Sequence, residues 1–392
     1  MALPALAGVV VLDLTTYYAG PYCTKLLAAL GAEVIKIERP GLGDGARRLG
    51  PFPGDLPHPE KSGTFLYLNT GKQGITLNLK SATGQELFKQ LVREATIVVE
   101  NFAPRVLPGL GLGYEVLEQI NSALVLTSIS NFGQTGPYRD YRGAEITFMA
   151  LGGLMYQTGE PDREPLKLPG AVAQYAAGFA AFSATLGALY YAEATGTGQH
   201  VDVSLMETIA SSHIQGLSEY DYVGTIRGRG YAQAHYPCQD GFVAFSVQPH
   251  LWPRLCQLIG RPELVEDPRF RTWQARRQHA DELDMYILPW VVERTREQVY
   301  HEAQAAGVPC SFMATMADLE ASPQYRARGF FSAIEHPVAG SFPYPGIPFQ
   351  LGEAPYNLGR APLLGEHNAA VYGERLGYSR EALARLQAQG VV

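Results

Sequence analysis

Few residues in this 392-residue chain are spaced for chemistry, and most of those suit binding rather than bond making. Arg39 closes the run AEVIKIER; a guanidinium there can grip a phosphate through two parallel hydrogen bonds, which lysine cannot do. Asn101 and Phe102 follow the apolar run Thr96–Val99, at the strand end where open α/β sheets bind ligands. Tyr17, Tyr18 and Tyr156 could line an aromatic pocket, although tyrosine is also a common core residue. His200 stands beside Asp202 in an alternating segment and reads as structural, while His235 and His336 fall in turns. No His/Glu spacing suits a metal, and no GxSxG elbow marks a serine hydrolase. The loop after the first apolar run, TTYYAGP, lacks GxGxxG, which argues against a dinucleotide fingerprint. Cys23, Cys238, Cys256 and Cys310 are far apart without a CxxC pair, so they read as buried reduced thiols.

The elements that must position these residues are legible as an α/β pattern. Val9–Leu14 is a short apolar run, as in a strand buried on both faces. Ala19-Gly20-Pro21 opens a helix over Tyr22–Leu30 that Gly31 closes, and Ala32–Glu38 is the next strand. Strand, helix and strand over some thirty residues make a βαβ unit and predict a parallel sheet. Further strands are expected at Ile75–Leu79, Thr96–Val99, Leu124–Ile129 and His200–Leu205. Helices are expected at Ser81–Glu94, with Ser81 as N-cap, at Tyr114–Asn121, and in a long small-residue run from about Ala173 to the glycine-rich turn Thr195–Gly198.

From His213 to Gly230 the composition shifts to Tyr, Gly and Arg and reads as a linker. Beyond it come a turn at Tyr236–Gly241, strands at Phe242–Ser246 and Val308–Met313, and helices at Leu251–Ile259, Thr272–Val299 and Met316–Ser322. The expected organisation is a large domain begun by residues 1–215, a small α/β domain with linkers over 216–328, and a segment 329–392 that returns to the large domain.

Composition narrows the partners. Apolar residues make up 46% and charged residues 18%, and the net charge is −7, with no basic block. That balance argues against nucleic acid, although a few arginines can still form a local anion site. The start MALPALAGVVVLDL has no basic n-region and is interrupted by Asp13, unlike a secretory signal. Ala176–Tyr191 is too short for a membrane span and is followed by Glu193. The expectation is a cytoplasmic protein with no membrane partner and no bound metal.

Several stretches carry a resemblance. LDLTTYYAGPYCTKLLAALGAEVIKIERP, ENF at Glu100–Phe102, FGQTGPY at Phe132–Tyr138, ALGGLM, the small-residue helix and TGTGQHVDVSLME occur in an order that resembles the class III CoA-transferases, a family that includes acyl-CoA racemases. The resemblance covers nearly the whole chain. It implies a Rossmann-like parallel-sheet domain with a smaller α/β domain, in an interlocked dimer whose sites draw on both subunits. It implies no permanently bound cofactor, a coenzyme A thioester and a carboxylic acid as substrates, and a homologous subunit as partner. On its positions Tyr17, Tyr18, Ala19, Arg39, Lys72, Asn101, Phe102 and Arg142 would hold the coenzyme. Arg105 would stand in for an arginine that the family often has where this chain has Gly109.

The same resemblance exposes a departure. The family places an aspartate four residues before the glycine that corresponds to Gly178, and this chain has Gln174 there. In the family that carboxylate attacks the thioester carbonyl, releases the CoA thiolate and leaves a mixed anhydride. An amide has no ionisable oxygen and cannot take that role; it can donate a hydrogen bond to a thioester oxygen. Glu145 matches an acidic neighbour of the reacting thioester, and Ala144 replaces a histidine of the racemase relatives, so the acid–base pair a racemase needs is missing. Three readings stay open: a partner subunit supplies the aspartate, Glu145 becomes the nucleophile, or the chain catalyses another reaction on a CoA ester or only binds it.

Overall fold

The structure is a computed structural model and describes residues 3–212, 214–226, 228–229, 235–246, 248–352, 356 and 359–392. It divides into two compact units. The first comprises the chain up to Thr158, Pro165–Gly228 and Gly329–Val392; the second comprises Gly159–Glu164 and Arg229–Arg328.

Six parallel strands form the centre of the first unit: β1 (Val10–Asp13), β2 (Glu33–Glu38), β3 (Gln73–Thr76), β4 (Ile97–Glu100), β5 (Val125–Ser130) and β6 (His200–Ser204). Their spatial order is β3-β2-β1-β4-β5-β6. The direction of progression therefore reverses between β1 and β4, and a crevice opens beyond their carboxyl ends. Side-chain alternation sorts the core. Val11 joins the apolar cluster beneath α1 (Ala19–Ala29), whereas Leu12 joins the one beneath α2 (Ala82–Val92). Ser81 caps α2 as expected, its Oγ accepting from the Gly84 amide at 3.0 Å.

The long helix, α3 (Val172–Thr195), runs 24 residues and is long and apolar enough to cross a membrane by length and composition. The expected apolar run, Ala176–Tyr191, is too short for a span, but the helix extends past it at both ends. Packing decides its place: Ala173, Ala177, Ala181 and Leu189 are buried in the cluster under α1, and Thr185 meets Thr127 of β5 through a 2.7 Å hydroxyl contact. A Cβ at Gly178 would come within 2.5 Å of the Ala19 carbonyl oxygen, so only glycine permits this approach to α1.

The segment after Ala361 covers the outer edge of β3. His367 donates its amide to the Gly74 carbonyl at 2.8 Å, Asn368 Oδ1 accepts from the Thr76 amide at 2.9 Å, and Tyr372 Oη donates to the Thr76 carbonyl at 2.8 Å. This pairing also ends the strand at Thr76 rather than at Leu79, because the Asn78 amide turns to the Val391 carbonyl. A hairpin, Phe331–His336 with Gly340–Pro345, belongs to the same unit.

The expected linker contains a helix over Ile214–Val223; His213, Arg227 and Gly230 lie outside the described residues. In the second unit the expected turn at Tyr236 is a strand, His235–Cys238, paired with Gly241–Phe245 and then Cys310–Phe312. The expected helix over Thr272–Val299 is three helices. Thr295 starts the last of them by accepting from the Gln298 amide, which ends the preceding one.

Candidate functional site

Asp13, the last residue of β1, anchors the crevice from below. Its Oδ2 receives Lys72 Nζ at 2.9 Å and Thr24 Oγ1 at 2.7 Å, and its Oδ1 accepts from the Thr15 amide at 2.9 Å. Burial alone would raise the Asp13 pKa, but Lys36 and Lys72 outweigh it and hold the carboxyl well below the usual range. Lys36 in turn pairs with Asp44 at 3.1 Å. Asp44 Oδ1 accepts from the Tyr17 amide at 3.0 Å and the Ala46 amide at 2.8 Å. Tyr17 needs this support, because its φ of +67° lies in the left-handed region that side chains disfavour. Its ring lies against Gly45, where a Cβ would meet it at 2.3 Å.

Across the switch point, Asn101 ties the two loops together. Its Oδ1 accepts from the Thr16 amide at 2.9 Å and its Nδ2 donates to the Thr16 carbonyl at 2.8 Å. The loop after β1 and the loop after β4 are thus one rigid rim carrying Tyr17, Tyr18, Ala19 and Phe102.

The N-terminus of α3 joins this rim. Tyr175 meets Tyr22 edge-on with ring centroids 5.0 Å apart, and Tyr18 at 6.2 Å. The preceding residue, Gln174, is half-buried, and its Nε2 lies 3.5 Å from Glu145 Oε2. Glu145 begins the helix Glu145–Leu151, and its Oε1 accepts from the Ala173 amide at 2.6 Å. It therefore serves as the capping acceptor that α3 lacks locally, since Ala171 at the N-cap has no side-chain oxygen.

The cations are distributed unequally. Arg39 and Arg142 are exposed, and no partner for either guanidinium occurs among the described residues. Arg105 is exposed and forms a two-point ion pair with Asp140, at 2.9 Å from Nε and 2.8 Å from Nη2. Lys72 is enclosed: its ammonium donates to Asp13, the Pro21 carbonyl, Thr24 and Asn69 and does not reach the surface. Ala144 and Gly170 flank the Glu145–Gln174 pair in sequence; neither supplies a titratable group. Among the described residues no cluster of His, Cys, Asp or Glu could hold a metal.

The pattern of CoA-transferase family III matches residues 6–368. The chain belongs to this family. It is 37% identical over 395 residues to the succinyl-CoA–D-citramalate CoA-transferase of Chloroflexus aurantiacus, covering 97% of this chain and 96% of that one. It is 34% identical to the formyl-CoA:oxalate CoA-transferase of Streptomyces avermitilis over 413 residues, covering 99% of both. A crystal structure of a CaiB/BaiF family protein from Brucella suis superposes with a TM-score of 0.84 at 32% identity, covering 95% of this chain and 100% of that one.

Within this family-III chain, sequence reasoning missed the groups that hold the rim. In the sequence Asp13 is only a break in an apolar run, and nothing local marks Asp44 or Lys36. Glu100 opens the ENF segment, and nothing local in the sequence marks its burial. It is buried at the end of β4, and its Oε2 accepts from the Phe102 amide at 2.7 Å. Burial raises its pKa to about 7, Ser128 and the Phe102 amide oppose the rise, and Asp202 adds to it. Because the folded pKa exceeds the unfolded value, Glu100 favours folding at low pH, and that contribution is lost as pH rises from about 4.5 through 7. Glu100→Gln keeps an oxygen for Phe102 and a donor for Ser128. The variant is expected to gain about 3 kcal/mol over the parent at pH 8 and almost nothing at pH 4.5. Urea midpoints at the two pH values check this; parallel pH dependence in parent and variant would refute it.

Proposed function

We propose that this chain is a CoA-transferase subunit that moves CoA between an acyl-CoA thioester and a carboxylic acid, and that a homologous subunit supplies the nucleophilic carboxylate. One observation carries the reading. Among the described residues, the carboxylate that accepts from Gln174 is Glu145, and both of its oxygens are engaged, one by the Ala173 amide and one by the Gln174 amide group. Glu145 thus holds the helix end and the Gln174 side chain, and Gln174 is left as a hydrogen-bond donor toward a thioester oxygen. The coenzyme would lie across the β1–β4 switch point, against Tyr17, Tyr18, Ala19, Asn101 and Phe102, with Arg39 and Arg142 free to take phosphate oxygens and Arg105 held by Asp140. Lys72 would act on the coenzyme only through the loop it anchors.

The second reading assigns the attack to Glu145 itself, favoured by its 3.5 Å approach to Gln174. It requires the carboxylate to leave the α3 amide. A third keeps the chain as a non-catalytic CoA-binding subunit that stabilises an active partner. The four cysteines are free, and burial pushes Cys23 and Cys256 up to about 12, which fits the cytoplasmic location this reading assumes.

Purified alone, the chain is expected to bind acyl-CoA esters yet exchange CoA with free acids at background rate. Adding a family member that carries aspartate at the position of Gln174 restores exchange. Exchange by the isolated chain that vanishes in Glu145→Gln would establish the second reading instead.

A further inference from the structure

A cavity of about 480 Å³ lies in the first unit beside the ring cluster of the rim. Its walls are mostly rings and prolines: Phe52, Tyr67, Tyr175, Phe342 and Tyr344 are the large ones. Tyr175 is shared between this cavity and the contacts with Tyr18 and Tyr22, so the cavity begins one residue from Gln174. The Tyr67 ring is fixed from behind, with Lys25 Nζ 3.4 Å from its centroid and donating to the Tyr67 carbonyl at 3.0 Å. Among the described residues Lys61 is the only charged one in the lining, and its ammonium has no hydrogen-bond or ion-pair partner there.

We infer that this cavity receives the acyl group of the CoA ester, and that the group is a flat apolar ring bearing a second carboxylate, which Lys61 neutralises. The inference rests on the reading of the chain as a CoA-ester protein. Size supports it: benzene is held by a dry cavity of about 150 Å³, so this one has room for a ring with a substituent. Lining supports it too. Aromatic walls gain from edge-on and offset contacts with a ring. A short, hydroxylated or one-carbon acid would leave those walls unfilled, although the lining offers it the hydroxyls of Thr64, Tyr67, Tyr175 and Tyr344 beside the Lys61 ammonium. The relatives reported above are named for small polar acids, citramalate, succinate, formate and oxalate; the inference assigns this chain a different acyl class. An ammonium without a counter-ion at the edge of an apolar cavity is matched by one carboxylate at the far end of the ring.

The test is calorimetric titration of the full chain with acetyl-CoA, succinyl-CoA, benzoyl-CoA and 4-carboxybenzoyl-CoA. Benzoyl-CoA is expected to bind at least tenfold tighter than the acetyl and succinyl esters, and 4-carboxybenzoyl-CoA about fivefold tighter still. Lys61→Met abolishes the last advantage and keeps the first. Thr64→Trp, which fills the cavity, brings the benzoyl ester down to the acetyl level; its thermal midpoint checks that it has folded, and the comparison of esters on the parent chain stands without it. Equal affinity for acetyl-CoA and benzoyl-CoA overturns the cavity assignment and leaves the CoA reading intact, as does a folded Thr64→Trp variant with unchanged preference. A carboxylate advantage that survives Lys61→Met overturns the role of Lys61. Failure of all four esters to bind overturns the CoA reading itself, and the inference with it.

Discussion

Gln174→Asp is expected to raise CoA exchange by the isolated chain at least about 100-fold, which corresponds to about 2.7 kcal/mol of barrier. The change replaces an inert amide by an anion that can open a thioester and hold the acyl group as an anhydride. The position is prepared for it. The first turn of α3 is the positive end of the helix dipole and favours a negative charge, as its Ala173 amide already shows by donating to Glu145, and Gly178 lets the helix approach the Ala19 carbonyl. Glu145 opposes it, since a second carboxylate would stand near Glu145 Oε2, which lies 3.5 Å from the present amide nitrogen. Two such groups do not both ionise freely, so the variant should gain activity as pH rises through the range where the introduced group loses its proton. Adding Glu145→Gln should move that limb to lower pH. The measurements are the exchange rate against pH and a mass shift on the helix peptide after incubation with acyl-CoA. A folded variant with no gain and no adduct would show that the pocket has diverged beyond one residue.

Lys72→Met should cost about 3–5 kcal/mol, the typical penalty for stranding one half of a buried ion pair. Lys72 and Asp13 have no side-chain exposure, and Lys72 also closes on the Pro21 carbonyl, Thr24 and Asn69. Removing Asp13 as well, as Leu, should recover most of the loss, because the uncompensated charge goes with it. Denaturant midpoints of the two single variants and the double variant decide this. A loss below about 1 kcal/mol accompanied by tenfold weaker CoA binding would make Lys72 a ligand contact rather than an anchor.

How much of this was legible depends on how local each signal is. The strands β1, β2, β4 and β5 are short apolar runs and appear within two residues of their expected positions. The resemblance puts the ligand loops after β1 and at the end of β4, and the strand order reverses between those two strands. The Asp13–Lys72 pair was not legible from the residues, because 59 positions separate two polar residues whose burial only the closed sheet produces. The hairpin Phe331–Pro345 was missed because Pro and Gly interrupt its alternation. The helix Ile214–Val223 was missed because Tyr and Gly mask its periodicity. Glu145 was placed next to the chemistry by resemblance; its work as the cap of α3 needed coordinates.

The cover on β3 sets a clock on biosynthesis. Thr76 and the Asn368 that satisfies it are 292 residues apart. At ribosomal speeds of about 5–20 residues per second, the outer edge of the sheet is made about 15–60 seconds before its closing segment emerges. Through that interval a row of bare strand amides and carbonyls is open to any passing extended peptide. The nascent chain must be shielded there, and slow-growing hosts or helper proteins that hold this edge should govern how much folded protein is recovered.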